Sequence, residues 1–528
     1  MTTGSRGKEG PATQRPEAAA ATAPLLIAVP DGLSLGGVAS WACATANTLA
    51  AAERVVGVIR HARRAGDTPI DISLDARVRV FDASHLPPMD EALGACGVYE
   101  TCYADALTDL SSAAGGLAVA AVPTQMGDCF GVFASLKARG CPLHLVGWRH
   151  SLSAYERAVM RHYAPWLSAC VAISGELAID CAEAAPGVRV TRLPHSVEPD
   201  EAERRDRDAG EPLRLIFVGR LEQTLKRAGL LPRISRELDA MGIAHRMRVV
   251  GDGELSVELR REAARNPSIQ MMGTRSVTEV RELLRGSDLF LLPSRTEGLS
   301  LSLLEAMASG CVPVVTDTLS GVRETVTPET GFLVPFAEDP DEQARRFACA
   351  IGRAAGADLR GMSGRARRHT FTKHHPADYL MGVEALLAWF AATPLPHVFA
   401  GSRSPWFTSN EGGGSGTVPR EAAERMRAVL RRLAGRKVLI HGTGRHTREV
   451  LNVIQSEGGG VVGYVEDDPR KIGSVFEGLP VYRADAIQGA GVEDVVVSSF
   501  IHRHEIAAAW RLRGGVRVHV LYGEGEEW

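Results

Sequence analysis

From Pro24 onward, short runs of apolar, β-type residues alternate with helix-length segments, and the alternation starts afresh twice. The first set is LLIAVP (25–30), VVGVIR (55–60), RVRVFD (77–82), GLAVAAVP (116–123), PLHLVGW (142–148) and SACVAIS (168–174). Most of these runs are apolar throughout, without the in–out alternation of a sheet with one wet face. With crossovers of helical length between them, they predict a parallel sheet covered by helices on both sides. The charge-dense stretch EPDEAERRDRDAGEP (198–212) interrupts the pattern, and LRLIFVG (213–219), HRMRVVG (245–251), SIQMMG (268–273), DLFLLPS (288–294), VPVVTD (312–317) and GFLVP (331–335) rebuild it. After a Gly/Ser/Pro-rich segment a shorter set follows: KVLIHG (437–442), VVGYVED (461–467), VEDVVVSS (492–499) and VRVHVLY (516–522). The expected layout is a disordered tail (1–23), a doubly wound unit (24–197), a linker (198–212), a second doubly wound unit (213–393), a flexible linker (394–418) and a small third unit (419–528). Two such units facing each other place a ligand cleft between them, at the carboxyl ends of the strands.

Bulk properties narrow the classes. Lys plus Arg (60) nearly balances Asp plus Glu (63), which removes the electrostatic case for a nucleic-acid binder. Only six of the 60 cations are lysines, so a lysine at a chemically sensible place carries extra information. The nine cysteines form no C-x-x-C pair, and several sit among small apolar residues, as Cys170 does; they read as buried reduced thiols of a cytoplasmic protein. The Ala/Thr/Gly/Pro-rich start has no apolar core like that of a signal peptide, and no run of 18 apolar residues occurs.

The stretch 288–317, DLFLLPSRTEGLSLSLLEAMASGCVPVVTD, is the most informative. A buried strand ends at Pro293-Ser294, and a short helix is expected from about Leu299 to Gly310, a residue suited to the left-handed stop of a helix. The free N–H groups of residues 299–302 would point out of the sheet's carboxyl edge and form a phosphate seat, which makes Gly298, Leu299 and Ser300 donor-binding candidates. Glu305 lies among Leu301, Leu303, Leu304, Met307 and Ala308, where a carboxylate needs solvent or donors such as ribose hydroxyls. Glu297 precedes the helix and could accept hydrogen bonds from a sugar.

This block resembles the signature of glycosyltransferase family 4, the retaining nucleotide-sugar transferases with two facing Rossmann-like domains (the GT-B fold). SLGGVASW (34–41), VAISGELA (171–178), RLPHSVE (192–198), IFVGRLEQTLKR (216–227), MRVVGDGE (247–254), SGVRETV (320–326) and TGFLVP (330–335) resemble its other motifs in order, over about residues 24–392. The resemblance implies transfer of a sugar from a nucleotide-sugar donor to a saccharide, lipid-linked or small-molecule acceptor, with retention. Polysaccharide or glycoconjugate assembly is the implied setting, with no nucleic acid as partner and room for peripheral association with the inner membrane face. It assigns Arg220 and Lys226 to the diphosphate, Glu305 to the ribose, Glu297 to the transferred sugar and backbone amides near Leu299–Ser300 to the distal phosphate. Gly36 and Gly37 would let backbone approach the sugar phosphate; Gly219, Gly251 and Gly253 shape the donor loops. His150 resembles the histidine that contacts the donor sugar, with neighbouring Arg149 or His144 as alternatives. No metal or cofactor is required by this arrangement, because two cations and a helix end can carry the leaving-group charge.

In the third unit, HGTGRHTREVL (441–451) supplies Gly442 and Gly444 but has Thr447 where a third glycine would stand. The next strand ends in Glu466 and Asp467, where a ribose-binding acid is expected. Together with DDPRKIGSVFEGLPVYRADA (467–486), this resembles the Rossmann-like nucleotide-binding N-terminal domain of bacterial sugar acyltransferases. Nucleotide binding and a docking role both stay open, as do two competing wholes. In one the third unit is an NAD(P)- or nucleotide-sugar-dependent tailoring enzyme; in the other the chain is a non-catalytic nucleotide-sugar scaffold.

Overall fold

The computed structural model describes residues 21–395 and 422–521, except 31, 35, 64–68, 70–71, 88, 90–95, 125–126, 203–206, 209, 319, 444–446, 448–449, 467–470, 485–490, 499–505, 508–509 and 512–514. The expected tail and the Gly/Ser/Pro-rich linker therefore lie almost wholly outside the described residues.

The apolar runs of the first unit become strands β1 (Leu25–Val29), β2 (Val56–His61), β3 (Arg79–Ala83), β4 (Val119–Pro123), β5 (Leu143–Arg149) and β6 (Leu167–Ala172), joined by β7 (Arg189–Arg192). All neighbours in this sheet are parallel, in the order β3-β2-β1-β4-β5-β6-β7. The chain reverses its direction of travel between β1 and β4, so their carboxyl ends open a crevice. Edge strand β7, RVTR, has no buried residue, which is why no apolar run announces it.

The second unit repeats the plan with β8 (Leu213–Val218), β9 (His245–Val250), β10 (Ile269–Gly273), β11 (Leu289–Leu292), β12 (Val312–Asp317) and β13 (Phe332–Pro335), in the order β10-β9-β8-β11-β12-β13. The third unit is built from β14 (Val438–His441), β15 (Val461–Glu466), β16 (Val475–Phe476), β17 (Leu479–Arg483), β18 (Asp494–Val497) and β19 (Arg517–Val520). Its order is β16-β17-β15-β14-β18-β19, and only the β16–β17 pair is antiparallel. The class is thus α/β throughout: two facing doubly wound units plus a small third sheet.

One expected boundary is corrected. The helix Pro376–Ala392, assigned from sequence to the second unit, buries Tyr379, Val383, Leu386, Leu387 and Phe390 in the core of the first. The Ala23 amide donates to Leu387 O at 3.0 Å, and the Trp41 indole donates to the Tyr379 hydroxyl at 2.7 Å. The helix is hydrophobic nearly all round, so periodicity could not say which core it joins; burying side chains of this size contributes roughly 1.5–3 kcal/mol each wherever they land. The start of the 198–212 linker is held at Asp200. Asp200 is buried, and both its carboxylate oxygens accept from Arg285 Nε, at 2.9 and 2.8 Å.

Two glycines are needed for packing. A Cβ on Gly251 would overlap the carbonyl oxygen of Gly219, and its φ of +134° is hostile to any side chain. Gly253, at φ +155°, meets Leu221 O in the same way. Gly251→Ala is therefore expected to destabilise the second unit by about 3 kcal/mol or more, read as a lowered denaturation midpoint. An unchanged midpoint would mean the 219–221 segment can retreat freely.

Candidate active site

The helix that closes the 288–317 block runs Leu301–Ala308, with the Ser300 hydroxyl accepting from the Leu303 amide and Gly310 stopping it at φ +86°. Leu303, Ala306 and Met307 face the second unit's core, whereas Leu299, Leu304 and Ala308 belong to the first unit's buried cluster. This one helix is thus clamped between both units, and its amino end is buried where they meet, Gly298 lying against His150 O.

Around that end the residues picked from sequence converge. Lys226 Nζ lies 2.6 Å from Glu297 Oε1, with the two side chains 24% and 9% exposed. Lys226 is presented by a tight turn. The Glu222 carboxylate accepts from the Leu225 and Lys226 amides, and Arg227 takes a left-handed φ of +50°. That conformation costs roughly 1 kcal/mol or more for a side chain. Offsetting it, the Arg227 guanidinium donates to Ala337 O and Glu338 O at 3.0 and 3.1 Å and lies over the Phe336 ring. Arg220, just past β8, is exposed, and a Cβ on Gly36 would stand 3.2 Å from its Nη2. The Gly36–Gly37 loop of the first unit therefore reaches the cation of the second, while a Cβ on Gly37 would meet nothing within 4 Å.

His150 comes from the other wall. A Cβ on Gly298 would overlap the His150 carbonyl oxygen, so the two units touch at this point. The His150 ring is buried, 4.5 Å from the Trp41 ring and 5.5 Å from His195, on which it stacks at 15°. Neither ring nitrogen of His150 has a hydrogen-bond partner. Burial first, then His195 and Arg149, hold its pKa well below the usual imidazole range, so the ring is neutral. The two alternatives to His150 point elsewhere. Arg149 is sealed in an ion cluster with Asp180 (2.8 Å) and Glu156 (3.3 Å). His144, at the opposite end of β5, hydrogen-bonds Ser168 and packs on Phe390.

Glu305 has its carboxyl pushed up to about 7 by burial, against a smaller opposing pull from Arg281. A carboxyl raised in the folded state favours folding below its ordinary value and loses that advantage as pH climbs from about 4.5 to about 7. Glu305→Gln is expected to be more heat-stable than the parent at pH 8 by about 1–2 kcal/mol, and to match it near pH 4.5. Equal melting at both pH values would show that the carboxylate is already solvated.

Sequence reasoning missed Trp41, His195 and the Glu222 turn cap. Glu222 stands four residues before Lys226, the one signal that could have marked it. In the third unit, Gly442 has φ +105°, while Gly444 and Asp467 lie outside the described residues. Glu466 is turned onto the loop after β14, where its Oε1 accepts from the Thr443 amide at 2.6 Å. His441 accepts from the Trp510 indole at 2.7 Å and is part of the core.

Residues 212–353 match the family model of the glycosyl transferases group 1. The second unit thus resembles a group 1 glycosyltransferase domain. The chain is 36% identical over 174 residues to the putative colanic acid biosynthesis glycosyltransferase WcaL of Salmonella typhimurium, a match covering 31% of this chain and 40% of that protein. It thus spans well under two thirds of that curated relative's length. In fold, 70% of the chain matches all of the sucrose-phosphate synthase of Thermosynechococcus elongatus, at a TM-score of 0.57 and 17% identity. The same share matches all of the pneumococcal O-GlcNAc transferase GtfA, solved with UDP and GlcNAc, at a TM-score of 0.55 and 12% identity. The second unit and the one facing it therefore share the GT-B fold; Arg220, Lys226 and Glu297 come from the second unit, and the Gly36–Gly37 loop and His150 meet them from the first. Among the described residues no helix is long and apolar enough to cross a membrane.

Proposed function

We propose that the chain transfers a sugar, with retention, from a nucleotide-sugar donor to a saccharide or lipid-linked acceptor in polysaccharide assembly. The observation that carries this reading is the Lys226–Glu297 pair at 2.6 Å just before the clamped helix, together with the exposed Arg220 that meets the Gly36 loop of the first unit. Two cations and free N–H groups suit a diphosphate leaving group. They oppose negative charge as it grows, which is where electrostatic catalysis gains most. Glu297, held by Lys226, keeps a carboxylate beside the place a sugar hydroxyl would occupy, and Glu305 one turn inside the helix offers an acceptor for ribose. His150 is neutral, so its ring can share a hydrogen bond without adding charge. The roles need no metal; the cations supply the counter-charge. WcaL's name supports polysaccharide assembly, and the UDP bound to GtfA supports a uridine donor. Acceptor entry at the first unit, with the protein at the cytoplasmic membrane face, fits the same reading.

The test is release of nucleoside diphosphate from a panel of nucleotide sugars by the full chain and by a chain ending at Pro394. Turnover that survives the truncation and is lost in Glu297→Ala supports the transferase. Turnover that follows the third unit instead, or tight nicotinamide binding there, supports the tailoring alternative.

A further inference from the structure

In the same unit as the Lys226–Glu297 pair, the short helix Val322–Thr325 carries Glu324 to the first unit. Glu324 Oε1 accepts from the amide of Gly175 at 2.6 Å, and Oε2 pairs with Arg192. Gly175 is the first residue of the ten-residue helix Gly175–Ala184, so the carboxylate sits at the positive end of a helix dipole. A Cβ on Gly175 would stand 2.7 Å from Glu324 Oε1, so this close approach depends on the missing side chain.

We propose that Glu324 is a latch that sets the closed spacing of the two units and thereby positions the Glu297–Gly298 turn against His150. The path is short. The Gly321 amide donates to Gly298 O at 2.8 Å, and Gly321 directly precedes the helix bearing Glu324. Movement of Glu324 away from Gly175 therefore drags on the backbone that touches His150 O. Leu299, Leu304 and Ala308, which the clamped helix lends to the first unit's cluster, make apolar contacts that tolerate sliding; a carboxylate shared by one N–H and one guanidinium does not. An exposed ion pair alone would contribute little, and Arg192 is 51% exposed. The weight therefore falls on the Gly175 amide, which a carboxylate holds more strongly than a neutral acceptor would.

The consequence for donor binding rests on the transferase reading; the latch itself does not. Hydrogen exchange of the full chain, read by mass spectrometry, tests the latch without any ligand. Glu324→Ala is expected to speed exchange about 3–10-fold in peptides covering 173–178, 147–152 and 296–302, while the 213–218 strand stays as protected as in the parent. Glu324→Gln, which keeps an acceptor for Gly175 but loses the charge, should fall between the two. Faster exchange confined to the Gly175 amide, or no change, overturns the latch. In parallel, the affinity for UDP is measured by calorimetry. Glu324→Ala should weaken it by about the same factor, since a smaller closed fraction lowers apparent affinity in proportion. A parent chain that fails to bind UDP counts against a uridine donor, and the exchange data still decide the latch.

Discussion

Lys226→Ala is expected to slow sugar transfer on the order of 10²–10³-fold while the denaturation midpoint stays within about 1 kcal/mol of the parent. The turn that presents Lys226 is held by the Glu222 carboxylate and by the Arg227 guanidinium on Ala337 O and Glu338 O, none of which involves the Lys226 side chain. The turn therefore keeps its supports, and the stability cost is confined to the lost Lys226–Glu297 pair, which water reaches from the 24% exposed lysine side. The chemistry does, because the ammonium serves two partners. It pairs with Glu297 at 2.6 Å in the free protein, and it stands ready to meet the charge that builds on a departing diphosphate. Without it, Glu297 is left 9% exposed and unpaired at the same place. Steady-state rates with a donor identified in the panel, alongside thermal melting, check the expectation. A loss under fivefold would place the leaving-group stabilisation on Arg220 and the helix end.

Gly298→Ala should be more damaging than its size suggests. The added methyl group would overlap the carbonyl oxygen of His150, which belongs to the opposite unit, and lies near the Ile173 side chain. Each unit can fold with this alanine; the two cannot close onto it. The expected outcome is a loss of at least 10²-fold in kcat/KM with only a modest change in melting temperature, since misplacing reacting groups by about 1 Å is enough for that. Exchange of the 147–152 segment should rise in step. If activity survives, chemistry does not require the contact seen between His150 and Gly298.

Much of this was legible before any coordinates. The strand runs were recognisable because both faces of these sheets are covered, leaving uninterrupted Val/Leu/Ile/Ala segments such as LLIAV, all five residues of which are buried. Lys226, Glu297 and Gly298 were legible through spacing and through the family motif. Edge strand β7 was not, because nothing buries it. Pairing partners drawn from far along the chain were also hidden. Glu324 lies within the motif SGVRETV, yet nothing local reveals that its carboxylate meets Gly175, 149 residues earlier. The choice between His150 and Arg149 was similarly closed, because strand alternation gives the facing direction only once the sheet's neighbours are known.

The return of Pro376–Ala392 to the first unit also bears on how the chain is made. At ribosomal speeds of roughly 5–20 residues per second, the helix emerges some 10–40 s after β7 has left the exit tunnel. Throughout that interval the first unit lacks the partners of Trp41 and Ala23, whereas the second unit, contiguous from β8 through the helix Leu359–Lys373, completes its own core about 1–4 s before the helix Pro376–Ala392 is finished. The later-synthesised unit should therefore be protected first on the nascent chain. The earlier one remains incomplete until its last helix arrives to close it.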